Sequence, residues 1–149
     1  MTGMTQEQLE QRIRTGIPVS SHMDFRILEL TDTAIRVSGG GDENVNVHGT
    51  AFAGSLYSIC ALAVWGLVHS RLPEDARLVM AEGSIRYRKP VVGEIISECE
   101  ILAADFKGFL NAVTNQGKGR LKAVALVPAE GRSVAAEFTG LVYASRDLE

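Results

Sequence analysis

The chain has 149 residues and a mass of 16.1 kDa, with 46% apolar and 22% charged residues. That length corresponds to a single domain, 1–149, able to bury roughly 70% of its unfolded surface without disulfide staples, and the average composition excludes disordered, collagen-like and disulfide-scaffold classes. Fifteen Lys and Arg against eighteen Asp and Glu give a net charge of −3, which speaks against a nucleic-acid partner.

The first residues, MTGMTQEQLEQRIRTG, are polar and hold two glutamates, unlike a signal or transit peptide, so a cytoplasmic location is expected. Residues 1–20 form an N-terminal helix and lead-in: Gln6 to Arg14 is rich in helix formers, and Gly16-Ile17-Pro18 ends the run. Phe25 and Ile27, then Ile35 and Val37, alternate with polar neighbours on either side of Thr31-Asp32, which predicts two strands before Gly39-Gly40-Gly41 breaks the pattern.

Thr50 through Ser70 contains no Asp, Glu, Lys or Arg, and a stretch of about 20 such residues raises the question of a membrane span. Gly54, Ser55, Ser58, Gly66 and His69 dilute its hydrophobicity, and an all-round apolar helix in an otherwise soluble composition belongs inside protein. A buried helix from Ala51 to Val68 is therefore expected, not a transmembrane one. Thr50 is its N-cap candidate, with the small residues through Gly54 leaving room for a later start.

Beyond the helix the period changes from 3.6 to 2. Val79, Ala81, Gly83, Ile85 and Tyr87 share one face of a strand ending at Lys89-Pro90; Ile95, Cys99, Ile101 and Ala103 share one face of the next. Phe109 to Thr114 reads as a third strand with Asn115-Gln116-Gly117-Lys118-Gly119 as its turn, Leu121 to Val127 as a fourth, and Val134 to Val142 as a fifth. Alternation with polar residues outward predicts an α+β domain: one long helix covered by a curved antiparallel sheet. Cys60 and Cys99 have no CxxC spacing and read as small buried hydrophobes in a reducing compartment.

Most chemical motifs are missing. Gly117-Lys118-Gly119-Arg120 lacks the spacing of a phosphate loop and joins two expected strands, and Gly49 to Ser55 has the Gly-x4-Gly spacing without its Lys. His22, His48 and His69 share no ligand spacing, so no metal is expected. Ala53-Gly54-Ser55-Leu56-Tyr57 is not a nucleophile elbow. What remains is Asn44 to Ser55, where asparagines precede a helix start whose unpaired amides can hold an anion or polarise a carbonyl. The same asparagines also suit an ordinary turn.

The segments NVNVHGTAFAGSLYSICALAVWGL, SIRYRKPVVGE and AAEFTGLVYA resemble the hotdog-fold thioesterase superfamily, within it the small thioesterase-like group found alone or fused behind an acetyltransferase domain. The resemblance covers about Met23 to Ala144 and implies a hotdog fold, a long helix wrapped by an antiparallel sheet, paired into a homodimer or a dimer of dimers. It implies hydrolysis of an acyl-CoA or acyl-carrier thioester, with CoA as part of the substrate and no other cofactor, metal or membrane. The acyl-CoA members carry an asparagine, then His-Gly-Gly at the helix start, then an Asp or Glu along the helix. Here Asn46 and Gly54 match the asparagine and the second glycine, whereas Phe52 stands at the histidine, Ala61 at the carboxylate, and Met80 near an assisting Ser or Thr. The resemblance thus implies a carbonyl site at Gly54 and Ser55 served by Asn46, without the usual base. Glu82 is the replacement candidate, although such a carboxylate also serves as a structural anchor; His48 is a second candidate or a solvated loop residue. Arg86, Arg88 and Lys89 lie where the family binds the nucleotide of CoA, and they equally suit a solvated strand face. The missing carboxylate leaves a second expectation open: a protein that binds thioesters without cleaving them.

Overall fold

The computed structural model describes residues 3–146. Helix α3 (Ala53–His69) is its axis, burying Ile59, Cys60, Ala63, Val64, Leu67 and Val68 completely. Around it curls one antiparallel sheet of β1 (Arg26–Leu30), β2 (Ala34–Gly39), β3 (Arg77–Tyr87), β4 (Ile95–Glu100), β5 (Lys118–Pro128) and β6 (Val134–Ser145), in the order β1-β2-β4-β5-β6-β3. The strand period of two turns Ala136, Phe138, Val142 and Ala144 of β6 onto the core. Helix α1 (Gln6–Gly16), opened by a Thr5–Gln8 capping box, buries Leu9 and Ile13. Gly66 of α3 gives those two side chains room to approach.

The hairpin β1–β2, the central helix and the last two strands fall where the sequence periodicity places them. Gly16-Ile17-Pro18 does end α1, but Pro18 at once opens a short helix α2 (Pro18–His22), because a proline suits a first helical position. The expected strand at Phe109–Thr114 is instead part of helix α4 (Ala103–Gln116). Phe106, Phe109 and Val113 are buried along one helical face, and Gly117, at φ +82°, caps the helix in the left-handed conformation. Asn115 to Gly119 is thus a helix exit and not a hairpin turn, with Lys118 already in β5. β4 stops at Glu100, so Ala103 begins α4 rather than extending that strand.

β3 contains a bulge. Met80 pairs with Val142 and Glu82 with Leu141, leaving Ala81 unpaired. A one-residue insertion switches faces. Gly83 and Ile85 line the inner face as expected, but ahead of the bulge Leu78 and Met80 are the inward residues and Val79 is 54% exposed. None of the described helices is long and apolar enough to cross a membrane.

Cys60 and Cys99 are free and buried, as their apolar surroundings predict. Burial pushes the Cys60 thiol up to about 11, partly offset by a hydrogen bond from Ser97 Oγ to its Sγ at 3.4 Å. Burial raises Cys99 to about 12, with Cys60 and Glu100 adding to it. Only thiolates react with disulfide reagents, so at about pH 8 neither cysteine should be titrated by Ellman's reagent until the protein is unfolded. Fast labelling of the native protein would contradict this packing.

Candidate functional site

The segment 40–52 enters α3 as a tight loop knotted on Asn46. The Asn46 amide nitrogen donates to Thr50 Oγ1 at 2.9 Å and to the Ala51 carbonyl at 3.3 Å. Its Oδ1 accepts from the backbone amides of His48 at 2.9 Å and Thr50 at 3.2 Å. Two donors and two acceptor positions are thereby filled, which is the capacity of a carboxamide. Gly49, at φ +82°, makes the reversal, and the backbone amide of Phe52 then donates to the Asn44 carbonyl at 2.7 Å. Asn44 is buried, its amide nitrogen holding the Met23 and Gly40 carbonyls.

Thr50, whose hydroxyl accepts from Asn46, lies two residues ahead of the N-cap and does not cap the helix. The N-cap is Phe52, whose side chain offers no acceptor, so the amides of Ala53, Gly54 and Ser55 have no hydrogen-bond acceptor among the described residues. These amides carry the positive end of the helix dipole. The Phe52 ring, 54% exposed, lies directly over Gly54. On the sheet side the Tyr87 hydroxyl donates to the Ala53 carbonyl at 2.8 Å, tying the end of β3 to the helix start. Partial loss of solvent around the half-exposed Tyr87 phenol raises it above its ordinary value, with Cys60 and Tyr57 adding to the effect.

A groove of about 300 Å³ opens beside this turn, lined by Asn46, Ala51, Ala53, Leu56, Tyr87, Arg88, Lys89, Pro90 and Val91. The structure therefore brings Asn46, Arg88 and Lys89 together at the first turn of α3, where Gly54 follows and Ser55 is buried. Arg88 and Lys89 are held by their backbone amides, both donating to the Ala135 carbonyl, and the Arg88 guanidinium is 3.5 Å from the Glu137 carboxylate.

Three candidates lie elsewhere. Glu82 is exposed on the outer face of the sheet with Lys118, Arg120, Leu141 and Tyr143, away from the groove within this chain; it is not the enclosed carboxylate its apolar neighbours imply. Arg86, paired with Glu137 across the strands, does not line the groove. His48 is an exposed loop residue. Tyr87, by contrast, joins the site without having been singled out in the sequence. The signal for it is present, since Gly83, Ile85 and Tyr87 continue one inward face to the strand end. The described residues contain no group of three or more His, Cys, Asp or Glu placed to hold a metal ion.

The knot makes a definite prediction. Asn46→Ala leaves the His48 and Thr50 amides without their acceptor, a loss of about 1–2 kcal/mol for partly solvated groups. The melting temperature should fall by about 2–6 °C, together with turnover. An unchanged melting curve would mean the loop does not depend on Asn46.

The fold has counterparts among known proteins. The model of the family described as "Putative thioesterase (yiiD_Cterm)" matches residues 6–146. The chain is similar to the "putative thioesterase" of Shewanella oneidensis at 30% identity and TM-score 0.80, covering 94% of this chain and 96% of that one. A protein of unknown function from Chlorobaculum tepidum TLS superposes with TM-score 0.88 at 24% identity, covering 94% and 93% of the two chains. A Pseudomonas aeruginosa protein described as a "probable thioesterase" does so with TM-score 0.84 at 20% identity, covering 97% of each chain. These last two likenesses establish the hotdog fold. With its helix, its six-stranded sheet and a family match running from Gln6 to Arg146, the chain belongs to that thioesterase family.

Proposed function

We propose that the protein hydrolyses an acyl thioester of coenzyme A or of an acyl carrier. The observation that carries this reading is the groove in which Ala53, the first residue of α3, meets the basic strand end Arg88-Lys89, at a helix start whose first three amides are uncapped. In this reading the thioester carbonyl lies over the amides of Gly54 and Ser55, which stabilise the negative charge that develops on its oxygen. Arg88 and Lys89 face the phosphates of the carrier. Water oxygen bonds to the carbonyl carbon, the carbon–sulfur bond breaks, and the water's proton leaves with the thiolate, giving a carboxylic acid and a free thiol. Asn46 acts by fixing the loop that presents the helix start. The active unit is a homodimer, alone or as a pair of dimers, working in the cytoplasm without nucleic acid or membrane.

A second reading has its own observation. Ala61 stands where acyl-CoA relatives carry a carboxylate, and no Asp or Glu among the described residues lines the groove. A protein so built can bind thioesters without cleaving them. Acetyl-, octanoyl- and palmitoyl-CoA, assayed for thiol release beside calorimetric binding, separate the two. Release that saturates with substrate supports hydrolysis, and saturable binding without release supports the second reading. Neither release nor binding would remove thioesters from consideration.

A further inference from the structure

We infer that the Tyr57 phenol is a catalytic hydrogen-bond donor, directed at the carbonyl oxygen of the bound thioester. The inference rests on the hydrolytic reading above.

Helix α3 runs along β3, and three contacts fix its register. The Tyr87 hydroxyl meets the Ala53 carbonyl, the Tyr57 hydroxyl occupies the space that a side chain at Gly83 would fill, and Trp65 Nε1 donates to the Leu78 carbonyl at 3.0 Å. Tyr57 is thus one turn inside the helix start, on the side of the sheet edge. Side chains on a helix lean towards its N-terminus, so this ring leans back towards the turn that begins at Ala53 and Gly54, and its hydroxyl comes to rest against Gly83 of β3.

The ring is held firmly. It packs edge-on against the fully buried Phe138 ring, with centroids 5.1 Å apart and planes at 89°. Only a glycine at position 83 leaves room for the hydroxyl. That hydroxyl has no hydrogen-bond partner among the described residues, whereas Tyr87 beside it is bonded. The oxygen is open to solvent, so its donor is available to an incoming ligand. A rigid ring one turn inside the amide end of a helix, with its donor unspent, is suited to a substrate oxygen. It supplies a side-chain donor in a site where the Asn46 amide is already fully used. During hydrolysis the phenol proton stays on Tyr57, and the hydrogen bond shortens as charge collects on the carbonyl oxygen.

Tyr57→Phe removes only the oxygen and keeps the contact with Phe138. Assayed on the full chain with whichever of acetyl-, octanoyl- or palmitoyl-CoA the native protein cleaves fastest, it should lower kcat by about 10²-fold with KM within about twofold and the melting temperature retained. Native kcat in the variant, or a change in KM alone, would overturn the inference and leave the hydrolytic reading standing. No turnover by the native protein on any of the three would overturn that reading and this inference with it. If Tyr57→Phe does not fold, 3-fluorotyrosine at position 57 replaces it: a kcat that shifts while melting does not supports the donor role, and an unchanged kcat overturns it.

Discussion

Gly54→Val is expected to abolish thioester turnover while leaving the fold intact. A Cβ at position 54 would sit 2.5 Å from Phe52 Cε2 and 3.0 Å from Cζ, closer than real atoms approach, so something must move. The Phe52 ring is 54% exposed and is the far end of a flexible side chain, so it swings outward and the backbone stays. Valine is also a better helix former than glycine, so the melting temperature should hold or rise slightly. The branched side chain then stands on the approach to the amides of Gly54 and Ser55, with the displaced ring in front of it. Losing one oxyanion donor typically costs about 10²–10³ in rate, and a blocked approach weakens binding as well. Phe52→Ala is the companion measurement: it uncovers the same amides without filling the space, so turnover should persist. Full activity in Gly54→Val would take the first turn of α3 out of the site.

How far the sequence discloses this arrangement depends on which signals compete locally. The uncharged run from Thr50 to Ser70 has no rival reading within a soluble domain, and α3 appears there, two residues later than the first small residues suggest. β5 and β6 alternate cleanly and are found in full. Phe109 to Thr114 carries both periods: Phe109 and Val113 fit a strand face as well as a helix face. Only by adding Phe106, three residues earlier, does the 3.6 period win. The bulge at Ala81 leaves no mark in the alternation, because Val79, Met80 and Ala81 are all apolar. This makes Glu82 read as enclosed when it faces out. Thr50 has the chemistry of an N-cap, but its hydroxyl is already the acceptor for Asn46, a choice between two partners that one-dimensional spacing cannot register. Candidates close in sequence to the helix start, Asn46 and Gly54, and those at the strand end, Arg88 and Lys89, converge because α3 runs along β3. That convergence is a property of the tertiary packing.

The protein should be a dimer in solution, and Ala61→Arg should convert it to an inactive monomer. β3 runs eleven residues along the edge of the sheet, bonded to β6 on one side only. An edge of that length left open invites further pairing, and proteins normally cover it. Beside it lies an unfinished strip of α3: Tyr57, Ala61 and Trp65, four residues apart and only partly buried. The exposed apolar side chains Phe52, Val79 and Tyr87 flank the same edge. A second copy meeting β3 edge to edge would cover both the strand and the strip, and bring another chain's surface to the mouth of the groove. Arginine at position 61 can reach water from a single chain, because Ala61 is not enclosed there. Between two chains its charge would be buried without a partner, at about 3–5 kcal/mol, which weakens association by about 10²–10⁴-fold. Light scattering at micromolar concentration should therefore read a dimer for the native chain and a monomer for the variant, with the melting curve of each still cooperative. A native monomer, or an Ala61→Arg protein that remains dimeric and active, would mean that the β3 edge is covered in some other way and that the groove beside α3 is complete within one chain.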